Sequence, residues 1–277
     1  MNEQIQLLIE LLLQNKVDIS LDMLRNKDFM NNLIDIINLY LNRFQDKKFT
    51  NVKLDTNIEE VKHNAINVMD KIIRKELLKD IYKLIEDIQV TNKEDFNASI
   101  RLRRDSHNNF VVSEIQISDI SSIIAIPAIA HECGHAITLE NSLSRFKNEH
   151  FEMFSILIDK ITSYELEVCN KKYYGIQDVN NAYRRIDFCK KAKSFINSSK
   201  RDIPENNKYI IQLLTSQIII GEIYATLLFE KYLEDKELFI YLMDLVFDST
   251  MSVDEFLLYY GIGINKNTYD QLSLLLS

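Results

Sequence analysis

Two prolines and five glycines are all that punctuate this chain of 277 residues, too few to turn the many short strands of a sandwich or barrel. Long helices joined by short polar loops are the arrangement left. Cysteine is scarce as well: Cys133, Cys169 and Cys189 form an odd, widely spaced set without a CxxC, which argues against a disulfide framework. No block of clustered lysine and arginine occurs and the formal net charge is −8, so a nucleic-acid partner is not expected. Nor is there a clean apolar run of membrane-spanning length. Ile123–Ala130 is short, and Gln217–Phe229 is interrupted by Glu222. Met1-Asn2-Glu3-Gln4 has neither the positive region nor the cleavage site of a signal peptide, so a cytoplasmic protein with no membrane partner is the expectation.

What is present is the balance of a folded globular protein, 46% apolar and 27% charged, in a chain long enough to bury a substantial core. Apolar stripes at helical spacing run through Ile5, Leu8, Ile9 and Leu12, then Leu33, Ile36, Ile37 and Tyr40. A third stripe covers 58–90, through Val61, Ala65, Val68, Ile72, Leu77, Ile81, Leu84, Ile85 and Ile88. The pattern then changes to period two at 98–103 and 112–117, on either side of the turn-forming run 105–109, which predicts a β-hairpin. An edge strand of such a hairpin can pair with an extended peptide. Helices are expected again at about 150–174, 178–197, 206–234, 236–247, 252–260 and 267–276, with a loop at 197–207. The fold class is therefore mainly α, a multi-helical core with a small β-hairpin.

Directly after the hairpin stands His131-Glu132-Cys133-Gly134-His135, on a segment with Pro127 near its start and Asp119, Ser121 or Ser122 as candidate caps. Residues four apart share a helix face, so His131 and His135 can present two imidazoles to one metal ion. Glu132, next to the first of them, lies beside the ion and can take a proton from water and later deliver it to a leaving amine. Zinc suits this donor pattern and lowers the pKa of a bound water towards ~7. Gly134 allows a neighbouring backbone or a substrate to approach closely. The other histidines, His63, His107 and His150, are scattered and read as surface or packing residues.

Two imidazoles leave a catalytic zinc one protein ligand short. No histidine follows at the spacing that metzincins use, so a carboxylate from the next helix is the better source. Glu149, Glu152, Asp159, Glu165 and Glu167 are the candidates. Glu152, Ser155 and Asp159 fall on one stripe by their three- and four-residue spacings. The longer side chain of Glu152 reaches a facing helix more readily; Asp159 is the alternative.

At these residues the sequence resembles the oligoendopeptidase F and thimet-oligopeptidase family of zinc peptidases. Ala130–Ala136 is similar to that family's HExGHA, and Glu152–Asp159 resembles its ExxSxxxE helix, whose first glutamate is the third zinc ligand. Ile223-Tyr224-Ala225-Thr226 is similar to the stretch whose tyrosine hydrogen-bonds the tetrahedral intermediate, and Tyr232-Leu233 with 252–257 and Gly261-Ile262 is similar to its closing helices. The resemblance covers roughly 110–277 and implies a reduced catalytic core. It departs from the family at one place: the oxyanion-binding histidine before the tyrosine is missing, as no histidine follows His150. Tyr224, or Tyr209, Tyr259 or Tyr260, must then share that task with zinc.

Residues 1–95 thus read as an N-terminal helical region and 96–277 as the catalytic region, or both as one continuous domain with a cleft. The leading expectation is a zinc-dependent endopeptidase or oligopeptidase acting on short or unfolded peptides. The alternative is a catalytically silent, zinc-binding protein that recognises a peptide. An intramembrane protease would need several spans and a second motif, and neither is evident.

Overall fold

The computed structural model describes residues 26–73, 75–91, 96–107, 110–140, 148–200 and 205–276. The stripe at 5–12 lies outside the described residues, as does the tip of the hairpin turn at 108–109. The observed fold is mainly helical with one small sheet, as expected.

Helix α1 (Lys27–Phe44) begins where the Asn26 side chain accepts from the N–H groups of Asp28 and Phe29, and it buries the stripe Leu33, Ile36, Ile37 and Tyr40. The stretch read as one segment over 58–90 is three elements: α2 (Ile58–Ile72), α3 (Lys75–Glu86) and a two-residue strand β1 (Gln89–Val90). The five-residue step from Ile72 to Leu77 is where the stripe slips phase. There Ile73 leaves the helix in an extended conformation.

Strands β2 (Ala98–Arg104) and β3 (Phe110–Ile117) form the antiparallel hairpin, with β1 added parallel on the far side of β3. The order β1-β3-β2 makes β2 an edge of the sheet. The register slips between Arg101 and Leu102, where Ser113 is the extra residue and its hydroxyl donates to the Arg101 carbonyl.

The remaining helices are α4 (Ala125–Glu140), α5 (Asn148–Cys169), α6 (Ile176–Lys200), α7 (Glu205–Glu234), α8 (Lys236–Phe247), α9 (Val253–Tyr259) and α10 (Lys266–Leu275). Pro127 falls in the first turn of α4, where its missing N–H costs no helical bond, so the helix starts there rather than kinks. Asp119 does not cap α4; its carboxylate accepts from Ser121, Asn51 and Lys53. The chain from α5 passes through a 3-10 turn at Lys171–Tyr173 and turns at Gly175, whose φ of 81° is left-handed. The loop expected at 197–207 is narrower, because α6 runs to Lys200 and α7 starts at Glu205. Helix α5 sits at the centre, packed chiefly against α7 and α4. A buried apolar cluster extends from Leu33 to Leu276. All three cysteines are free, and among the described residues no helix is long and apolar enough to cross a membrane.

Candidate metal centre

The centre is built where α4 lies against α5. His131 and His135 stand one turn apart on α4 with ring centroids 4.8 Å apart and planes at 86°. Both present Nε2 to Glu152 of α5: His131 Nε2 is 3.7 Å from one carboxylate oxygen and His135 Nε2 is 3.9 Å from the other. One donor atom from each of the three side chains lies within 4.8 Å of the others, so this group can hold a metal ion. The imidazoles are nearly buried, whereas the Glu152 side chain is 22% exposed, so the group opens to solvent on the carboxylate side.

Two glycines set the distance between these helices. A Cβ on Gly134 would stand 2.7 Å from the Ser155 Cα of α5, and one on Gly221 of α7 would stand 2.8 Å from the Glu152 Cβ and 2.9 Å from the Met153 nitrogen. The close approach expected at Gly134 is therefore made by α5, and α7 presses on α5 at Glu152 itself. Alanine gains up to ~1 kcal/mol over glycine inside a helix. Overpacking against fixed backbone costs ~1–3 kcal/mol and outweighs it. Gly221→Ala is expected to lower unfolding free energy in urea, despite the better helix propensity; a stabilised variant would show that the α5–α7 contact yields easily.

Neighbouring groups fix the protonation of the donors. Burial pushes His131 well below its usual pKa, with the Arg184 charge and His135 adding to it. Burial also lowers His135, opposed by the Glu152 carboxylate and aided by Arg184. Both rings are thus neutral near neutral pH, the form that ligates a metal. His135 Nδ1 and the Ser155 hydroxyl are hydrogen-bonded at 3.0 Å, so Nδ1–H donating to Oγ leaves Nε2 its lone pair.

Glu132 is 7% exposed and faces the edge strand, where its carboxylate accepts from the Ile100 N–H. Burial first, and then the charge of Glu152, push its pKa up to about 8; Arg184 and the Ile100 N–H pull it down. A cation beside Glu152 would cancel much of that repulsion.

Asp159 is brought to the same face of α5 but not to the imidazoles. Its buried carboxylate is bound by the guanidinium of Arg184 and the amide of Asn180, both on α6. Burial raises its pKa, and the Arg184 charge holds it back. Glu165 is held by the Tyr232 hydroxyl and Lys236, each at 2.8 Å. Glu167 accepts from the N–H groups of Gly175 and Gln177. The Glu149 and Tyr209 side chains lie outside the described residues. Tyr224 is 5% exposed on α7, one turn after the Gly221 contact with Glu152. Tyr259 and Tyr260 pack on each other with ring centroids 5.0 Å apart. His63 is hydrogen-bonded to Asn67 at 2.9 Å and His150 lies 3.9 Å from Asp254.

Arg184 is the residue that sequence reasoning missed. Its charge reaches His131, Glu132 and His135, yet its counter-ion is 25 residues distant in sequence and no local periodicity links them.

No family model matches the chain, and no curated protein matches it in sequence. Among solved structures it is similar to the crystal structure of a "putative peptidase" from Chlamydophila abortus, with a TM-score of 0.50 and 12% identity. The similarity covers 96% of this chain and 55% of that one, so this chain spans about half the length of that protein. At that identity the likeness is one of fold, and it does not extend to the oligoendopeptidase F family.

Proposed function

We propose that the chain is a zinc-dependent peptidase that hydrolyses short or unfolded peptides. The observation that carries this reading is the convergence of His131 Nε2, His135 Nε2 and the Glu152 carboxylate, with the carboxyl of Glu132 beside them. Donors on one tetrahedral zinc, with bonds of about 2.1 Å, stand about 3.4 Å apart. Separations of 3.7 and 3.9 Å are close to that value and too long for direct hydrogen bonds, so the donor set fits the ion.

In this reading His131, His135 and Glu152 hold zinc, and Asp159 does not. Zinc so held supplies a Lewis acid for a peptide carbonyl and a lowered pKa for water. Glu132 accepts the proton of the attacking water and passes it to the leaving amine. Ser155 keeps the His135 ring in register. The edge strand β2 binds the peptide in extended form next to Glu132, which accepts from the Ile100 N–H of that strand. Tyr224 takes the oxyanion-binding place of the missing histidine, a kind of donor that can be worth ~3 kcal/mol.

A second reading is a peptide-binding protein that holds zinc but does not turn over. It is favoured by the lack of any histidine after His150 and by the burial of Tyr224. A panel of quenched peptides incubated with zinc-loaded protein separates the two. The expected result is about one zinc per chain and cleavage that a chelator abolishes and added zinc restores. Zinc uptake with no cleavage across the panel would leave only the second reading.

A further inference from the structure

A cleft of about 660 Å³ opens between the segment after α1, the lead-in to β2 and the exposed side of α6. Its apolar floor is aromatic: the Tyr183 ring packs edge-on against Phe49 at 5.2 Å and Phe96 at 5.9 Å. Its rim carries Lys47, Lys48, Lys53 and Lys190, with Asp187 as the acid among the lining residues. Lys53 is already paired with Asp119. Lys47, Lys48 and Lys190 are exposed and have no carboxylate partner among the described residues. A concentration of unpaired cations is unexpected in a chain of net charge −8.

The place of this cleft relative to Glu132 gives it meaning. Each wall is continuous with an element that frames that carboxyl. Phe96 leads into β2, and the ladder already reaches its neighbour, since Ser118 N–H donates to the Asn97 carbonyl at 2.9 Å. Tyr183 immediately precedes Arg184, the partner of Asp159. The segment after α1 is tied to the start of α4 by Leu54 N–H on the Ser121 carbonyl at 2.7 Å and Ile123 N–H on the Val52 carbonyl at 2.8 Å. Tyr183 also senses the charge of Glu132. From Ile100, which donates to Glu132, back to Phe96 is four residues of extended chain, about 13 Å.

We propose that this cleft is a subsite for an acidic side chain of the peptide, about four residues to one side of the scissile bond. The aromatic floor takes the stem of the residue or of its neighbour, and the unpaired lysines meet the carboxylate. The inference rests on the peptidase reading and the β2 edge as peptide platform. It makes the substrate class acidic extended peptides.

The test uses the full-length, zinc-loaded protein and two rhodamine-labelled peptides that differ only by Asp-Asp against Asn-Asn. Anisotropy is expected to show the acidic peptide binding on the order of tenfold more tightly at low salt, an advantage that shrinks as salt is added. Lys47→Gln/Lys48→Gln/Lys190→Gln should erase the advantage and leave affinity for the neutral peptide unchanged; the substituted residues are exposed, and an unaltered melting curve confirms the fold. Equal affinity of the wild type for both peptides, a preference that survives in the triple variant, or no binding of either peptide would each overturn the subsite. Hydrolysis of the same two peptides is followed in parallel. Charge-selective binding without cleavage removes the peptidase reading alone, whereas cleavage without charge preference removes the subsite alone.

Discussion

Glu132→Gln is expected to take up as much zinc as the wild type and to lose hydrolysis by roughly 10²–10⁴-fold, the range for removal of a general base. The geometry makes this substitution unusually clean. Gln keeps an oxygen that can accept from the Ile100 N–H, so the hydrogen bond between α4 and β2 survives. It also replaces a carboxyl whose ionised form burial and the Glu152 charge both oppose, so folding stability should not fall. The imidazoles and the Glu152 carboxylate are untouched. The loss should appear in kcat, with KM little changed, because in the proposed mechanism the carboxylate acts on the proton in flight and does not hold the peptide. Zinc content by metal analysis and kcat for one good peptide decide the matter. Full turnover in this variant would remove Glu132 from the mechanism.

The parts of this molecule legible in its sequence are those that depend on local geometry. His131, Glu132 and His135 could be placed because a four-residue spacing on a helix has one spatial meaning. The β2–β3 hairpin announced itself by alternation, and its edge strand runs past Glu132. Glu152 and Asp159 were both visible on a stripe of α5, but periodicity alone cannot say which of two residues on one face meets a neighbouring helix. That depends on how far α4 slides along α5, and the seating of Gly134 on Ser155 and of Gly221 on Glu152 sets it. Strand β1 has only Gln89 and Val90, too few residues to show alternation, and it pairs in parallel with a strand far along the chain. Arg184 was hidden for the same reason. A buried ion pair between helices leaves no periodic trace, and one charged residue on a long polar helix looks like any other.

The same geometry gives the two carboxylates of α5 opposite expected failures. Asp159→Asn strands the Arg184 guanidinium, which stays charged, in a site where its partner was fully buried. Breaking such a pair from one side costs ~3–5 kcal/mol, so a large loss in urea unfolding is expected while the folded protein still binds zinc. Glu152→Gln should do the reverse. Its side chain is 22% exposed and has no lysine or arginine partner among the described residues, so the metal-free fold loses little, and the repulsion it exerts on Glu132 disappears. Zinc affinity should fall by more than the ~10–100-fold that loss of an outer-shell partner costs, because on the proposed reading a donor to the ion itself is gone. Isothermal titration with zinc and urea melts on both variants separate the roles. Zinc lost from Asp159→Asn with its fold intact would make Asp159 the third ligand and would require α5 to slide past both glycine contacts. The Asp159 substitution carries one more consequence. Arg184, released from its counter-ion, has the Glu132 carboxylate within its electrostatic reach. A guanidinium drawn to that oxygen would hold the proposed proton acceptor in an ion pair, so Asp159→Asn should also slow turnover without displacing the metal.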